Sequence, residues 1–152
     1  MRIFGWLLIV AALLFSGGAQ AQAPAMKIFV HAGLEAENTT PAAGETVTLA
    51  LTMRPDAGWH GYWQNPGDAG VGLVLDWKLP KGVTAGQPRF PVPDTLIISG
   101  LMNYVYEAPH AILIDVKLAD DIAPGTKIPI TADAQWLACT DRVCVPQIGT
   151  MA

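Results

Sequence analysis

Hydrophobic and polar residues alternate most regularly in three stretches of this chain. From Glu45 to Met53, Val47, Leu49, Leu51 and Met53 fall on one face and Thr46, Thr48 and Thr52 on the other. From Ala111 to Leu118, the apolar face is Ile112, Ile114, Val116 and Leu118. From Ile128 to Trp136 it is Ile128, Ile130, Ala132, Ala134 and Trp136. A period of two is the signature of a half-buried strand. Shorter strand-like runs are expected at Met26–His31, Trp59–Gln64, Val71–Trp77 and Leu96–Ile98. Turn residues separate them: residues 34–44, Asp56-Ala57-Gly58, Asn65-Pro66-Gly67-Asp68, Pro80–Gly82 and Asp120–Thr126. Residues 83–95 carry three prolines and predict an irregular or edge segment. Residues 99–109 predict a loop or short hairpin. No stretch keeps a helical period over three turns. Seven or so strands at intervals of roughly 8–12 residues predict an all-β fold, an immunoglobulin-like antiparallel β-sandwich.

The first residues follow a different pattern. Met1 and Arg2 precede an apolar run from Ile3 to Phe15, then Ser16-Gly17-Gly18 and Ala19-Gln20-Ala21. This is the layout of a cleavable export signal. Thirteen apolar residues fall short of the ~20 needed to span a bilayer. Residues 1–21 are therefore expected to be a signal peptide, and residues 22–152 one exported domain, in a bacterial periplasm where cysteines can be oxidised. A formal charge of −4 carries no basic footprint for nucleic acid. Charged residues make up 14% of the chain, below the ~25% usual for soluble domains.

Both cysteines lie near the end, in Trp136-Leu137-Ala138-Cys139-Thr140-Asp141-Arg142-Val143-Cys144. If the chain turns back on itself they can meet as a disulfide. Closing so short a loop stabilises by only about 2 kcal/mol on the loop-entropy estimate. By spacing alone three readings stand: a structural staple, a redox-active pair, or two ligands of a metal site completed by a distant His60 or Met. Arg142 favours a thiolate and Asp141 opposes it. No further ligands stand at recognisable metal spacing.

A wider likeness adds to this. GWHGYWQNPGDAG (Gly58–Gly70), DWKLPKGV (Asp76–Val83), FPVP (Phe90–Pro93), NYVYE (Asn103–Glu107) and QWLACTDRVCVPQ (Gln135–Gln147) follow in order. Over residues 28–148 the chain resembles the amino-terminal periplasmic domain of the thiol:disulfide interchange protein DsbD family, closest to its ScsB-like, copper-sensitivity-suppressor branch. The resemblance implies an immunoglobulin-like domain whose one cysteine pair, Cys139 and Cys144, is redox-active, with no other cofactor. It implies electrons arriving from a membrane-embedded, DsbD- or CcdA-like donor and leaving to periplasmic thioredoxin-fold proteins. Those serve disulfide isomerisation, cytochrome c maturation or copper tolerance. It makes Cys144 the expected attacking thiol. It implies a cap loop within Leu96–Glu107, covered by Tyr104 and Tyr106, and places His60 and Tyr62 beside the active site. Trp136 is expected to line it as well. The four-residue gap between the cysteines departs from the DsbD pattern. In the family a further strand, a membrane domain and a thioredoxin-like domain follow the pair, so residues 22–152 are expected to form a domain truncated at its C-terminal end.

Other residues are read as structural. Trp59, Tyr62, Trp63 and Trp77 fit a core, an active-site lining or, as a non-enzymatic alternative, a sugar-stacking platform on an exported binding module. Such a module, binding protein, copper or sugar around a structural disulfide, is the runner-up function. Asp68 is read as a turn residue capping its own backbone.

Overall fold

The computed structural model describes residues 26–152; the export signal expected at residues 1–21 lies outside them. Its strands are β1 (Val30–Ala36), β2 (Thr46–Pro55), β3 (Gly61–Gly67), β4 (Val74–Lys78), β5 (Val83–Ala85), β6 (Asp94–Ile98), β7 (Leu101–Tyr106), β8 (His110–Leu118), β9 (Thr131–Cys139) and β10 (Cys144–Met151). No helix occurs among the described residues. The strands pair antiparallel in an immunoglobulin-like β-sandwich, as the alternation predicts. One sheet runs β1-β2-β8-β5 and faces a second, β10-β9-β4; a third, β3-β7-β6, carries on from the second.

The core follows directly from the alternating residues. Val47, Leu49, Leu51 and Met53 of β2 are buried beside Ile112, Ile114, Val116 and Leu118 of β8. Leu51, Met53, Ile112 and Ile114 meet Ala134, Trp136 and Ala138 of β9 and Met151 of β10 across the sandwich. Small alanines opposite large aliphatics let the layers interdigitate, with the Trp136 indole filling the remaining space.

Strand β9 changes partners along its length. Its first half pairs with β4, from Thr131 against Lys78 to Gln135 against Val74. At its end, Cys139 and His60 exchange both backbone bonds: His60 N–H donates to Cys139 O (2.8 Å) and Cys139 N–H to His60 O (3.0 Å). This step joins the third sheet to the second.

The structure moves several expected boundaries. The first strand starts at Val30, not Met26, and runs to Ala36 through residues read as a loop. Strand β3 continues to Gly67, with a register shift between Tyr62 and Gly67 that absorbs Asn65-Pro66. The segment 99–109 holds a full strand, β7, in a tight hairpin with β6. Its two turn residues, Ser99 (φ 52°) and Gly100 (φ 84°), both have positive φ, as a type I′ turn demands. Residues 144–151, where the hydrophobic pattern predicts no element, form β10 against β9.

Strand β10 is anchored by a side chain. Gln147, 1% exposed, accepts at Oε1 from Phe29 N–H (3.1 Å), Val30 N–H (2.9 Å) and Trp136 Nε1–H (3.2 Å). Its Nε2–H donates to Lys27 O (2.9 Å), and Trp136 Nε1–H also reaches Val30 O (3.1 Å). One amide thus ties the chain's first strand to its last. Replacing Gln147 by Leu leaves two backbone amides without an acceptor, at about 1–3 kcal/mol each. We expect Gln147→Leu to lower the unfolding free energy by roughly 2–4 kcal/mol in urea titrations, with the slope unchanged.

Candidate redox site

Cys139 and Cys144 are register partners on β9 and β10 and are joined by a disulfide, their Cα atoms 4.1 Å apart. The reason they meet lies in the backbone. A residue's N–H and C=O point to the same side of a strand, and those of Cys139 are both taken by His60. Its pairing with Cys144 is therefore the non-hydrogen-bonded kind, in which the strands come closest. The connecting turn closes independently of the sulfurs. Thr140 N–H donates to Val143 O (2.8 Å), while the Thr140 hydroxyl accepts from Arg142 N–H and Val143 N–H (both 3.1 Å).

The two sulfurs sit in unlike surroundings. Cys139 is fully buried, packed with Tyr62 and Val105, with Leu96 and Leu137 at the margin. Cys144 is exposed. The turn between them displays Asp141 and Arg142, whose side chains pair in solvent at 3.5 Å. Beside it opens a cleft of about 500 Å³, bordered by His60, Leu96, Ile98, Ser99, Glu107 and Asp141.

The expected lining residues divide into two groups. His60 and Tyr62 are at the site. His60 is 2% exposed and stands next to Cys139 in register. Its ring meets that of Tyr62 edge-on at 5.3 Å. Burial lowers the His60 pKa, and the Glu107 carboxylate partly opposes the shift. Burial raises that of the Tyr62 phenol, which stays protonated at neutral pH. The Tyr62 ring fits because Gly70 (φ +90°) has no Cβ: one built there would lie 2.2 Å from the ring.

The other three lie elsewhere. Trp136 belongs to the sandwich core, because positions 136 and 139 project from opposite faces of β9. Tyr104 and Tyr106 flank Val105, so they project from the face of β7 that turns away from Cys139. Tyr104 meets Trp63 edge-on at 5.8 Å. Tyr106 stacks on His110 at 3.9 Å and donates its hydroxyl hydrogen to Pro91 O (2.6 Å). Its pKa is pushed up to about 12 by burial. The residues of the expected cap segment that pack with Cys139 are Val105 and Leu96, while Ile98 borders the adjacent cleft. Sequence reasoning missed them because aromatic residues stood out more than the aliphatics of the same hairpin. The aromatic group does not form one platform either. Trp59 stacks on Phe29 at 3.7 Å, Trp77 packs against the core, and Tyr62 covers Cys139.

Residues 32–152 match the family model described as thiol:disulfide interchange protein DsbD, N-terminal. The chain belongs to this DsbD amino-terminal family. Among solved structures it is similar to the N-terminal periplasmic domain of ScsB from Proteus mirabilis, at 16% identity and a TM-score of 0.57. That similarity covers 82% of this chain and 45% of the other, and it shows the fold. The GAE domain of yeast GGA1 also matches, at 17% identity over 80% of this chain and 86% of that one, with a TM-score of 0.38. No curated protein sequence matches. The family assignment and the cysteine pair together make this a DsbD amino-terminal domain with one disulfide, placed at the surface through Cys144.

Because Thr140 closes the hairpin without help from the sulfurs, reduction should leave this DsbD-family domain folded. We expect dithiothreitol to lower its stability by no more than about 2 kcal/mol. Near-ultraviolet circular dichroism and urea melts of the two redox forms check this.

Proposed function

We propose that this domain is a periplasmic dithiol–disulfide shuttle. It takes electrons from a membrane-embedded, DsbD- or CcdA-like donor and passes them to periplasmic thioredoxin-fold proteins through Cys139 and Cys144. The observation that carries the reading is the asymmetry of the pair: one exposed cysteine that a partner can reach and one buried cysteine that it cannot.

The chemistry follows from that asymmetry. In the reduced domain the Cys144 thiolate attacks one sulfur of a partner disulfide. The partner's S–S bond breaks, and its departing sulfur leaves as a thiolate and takes up a proton. The mixed disulfide holds the partner on Cys144. The Cys139 thiol then loses its proton, and the resulting thiolate attacks Cys144 Sγ. A Cys139–Cys144 bond forms as the partner's second thiolate leaves. Two electrons have passed, and the membrane donor restores the dithiol by the reverse sequence. A bridge that contributes about 2 kcal/mol to a hairpin already closed by its backbone suits repeated opening better than stapling.

The β6–β7 hairpin serves as the cap, with Leu96 and Ile98 in place of the two tyrosines. Ile97, 66% exposed on the border of the cleft, and Val143, 50% exposed in the cysteine turn, offer apolar contacts. A partner docks there and displaces the hairpin tip, a gating motion of the kind lids perform. Export to the periplasm, by the signal at residues 1–21, supplies the oxidising surroundings the shuttle needs.

Trapping tests the assignment of roles. The reduced wild-type domain should pass electrons to oxidised glutathione. Cys139→Ser should accumulate a mixed disulfide through Cys144, visible by mass spectrometry, and Cys144→Ser should form its adduct far more slowly. Equal rates in the two variants, or a wild-type pair that transfers nothing, would overturn the proposal.

A further inference from the structure

The resolving step of the shuttle proposed above demands something the cysteines do not supply. Cys139 is fully buried among Tyr62, Val105, Leu96 and Leu137. Burial in apolar surroundings disfavours a thiolate. Yet Cys139 must lose a proton to displace the partner from Cys144, and must regain it when the donor reduces the bridge. Solvent does not reach this residue.

One proton-accepting side chain is built against it. His60 is the register partner of Cys139, so the two side chains project from the same face, and directly opposed Cβ atoms lie about 5 Å apart. The ring is held by the edge of Tyr62. Its Nε2 is buried and has no hydrogen-bond partner among the described residues. A buried, unpartnered polar atom costs stability and calls for an explanation. We propose that His60 is the base that takes the proton from Cys139 when the mixed disulfide resolves, and the acid that returns it when the domain is re-reduced. The proposal rests on the shuttle reading and assigns a residue to its resolving step.

The surroundings fit both halves of the cycle. Burial lowers the His60 pKa, so the imidazole is neutral and able to accept at neutral pH. Once protonated it faces the Glu107 carboxylate across the cleft, with Asp141 of the cysteine turn on the same rim. Asp141 is shared with Arg142. Tyr62, the remaining titratable neighbour, stays neutral because burial raises its pKa. The proton thus moves from Cys139 Sγ to an imidazole whose cationic form has a carboxylate nearby, and the freed thiolate is consumed in forming the S–S bond.

The test separates the two steps. Reduced protein is mixed with oxidised glutathione, acid-quenched over time, and the mixed disulfide and final disulfide are resolved by mass spectrometry. His60→Gln removes the base and keeps a polar side chain; His60→Phe keeps the ring against Tyr62. In both variants we expect the first step, attack by Cys144, to keep its rate. We expect resolution at pH 7 to slow roughly tenfold or more, with the mixed disulfide accumulating. In the wild type, resolution should slow as pH falls through a value below 6.5, where the imidazole becomes protonated. In the variants that inflection should vanish. Variants that fold, by circular dichroism, yet resolve at the wild-type rate with the wild-type pH profile overturn the role of His60 and leave the shuttle standing. A wild type that forms no mixed disulfide overturns both. If His60→Phe does not fold, His60→Gln decides by the same two readouts.

Discussion

Cys139 gives both of its backbone hydrogen bonds to His60, at 2.8 and 3.0 Å, and much of the molecule depends on that commitment. It attaches the β3-β7-β6 sheet to the end of β9. It also leaves the other edge of Cys139 with no ladder bond to share, so β10 approaches in the close, non-hydrogen-bonded register. Cys144 then stands opposite Cys139 at 4.1 Å between Cα atoms. The same three residues, Cys144 on β10, Cys139 on β9 and His60 just before β3, form one row running from solvent to a buried ring.

The sandwich behind this row holds it still. Position 139 is odd and positions 134, 136 and 138 are even, so β9 sends Ala134, Trp136 and Ala138 into the main core and Cys139 into a second, smaller cluster. Burial on both faces fixes the register, since a slip of one residue would exchange the two sets. Gln147 supports β10 from beneath by bonding to β1 and to Trp136. The rigid parts are thus the strands, while the exposed part is a four-residue turn with Cys144 at its foot. That division suits a site where one sulfur must be reached by a protein partner and the other must stay out of reach.

Much of this was legible in the sequence, and the exceptions share physical causes. The alternating faces of β2, β8 and β9 are set by burial on one side only, which period-two patterning records faithfully. Strand β10 left no such record: Cys144, Val145, Pro146, Gln147 and Ile148 lie on an edge strand whose key buried residue is an amide rather than an aliphatic. Strand β7 was obscured in the same way by buried Asn103, which donates to Leu96 O and Leu101 O. The cysteine pair was plain from spacing and resemblance together. The resemblance grouped His60, Tyr62, Trp136, Tyr104 and Tyr106; the backbone brings His60 and Tyr62 beside Cys139 and sends the other three to other faces. Which face of a strand a residue occupies depends on pairing with distant segments, and spacing alone does not reveal it.

The central claim is that the Cys139–Cys144 bond is made to be opened and closed, and its reduction potential speaks to this most directly. The protein is equilibrated across dithiothreitol and glutathione buffers, alkylated, and the fraction oxidised is read by mass spectrometry. A potential above about −300 mV, within reach of physiological thiol couples, is the predicted result. A potential well below that value would mark a structural bridge and contradict the account.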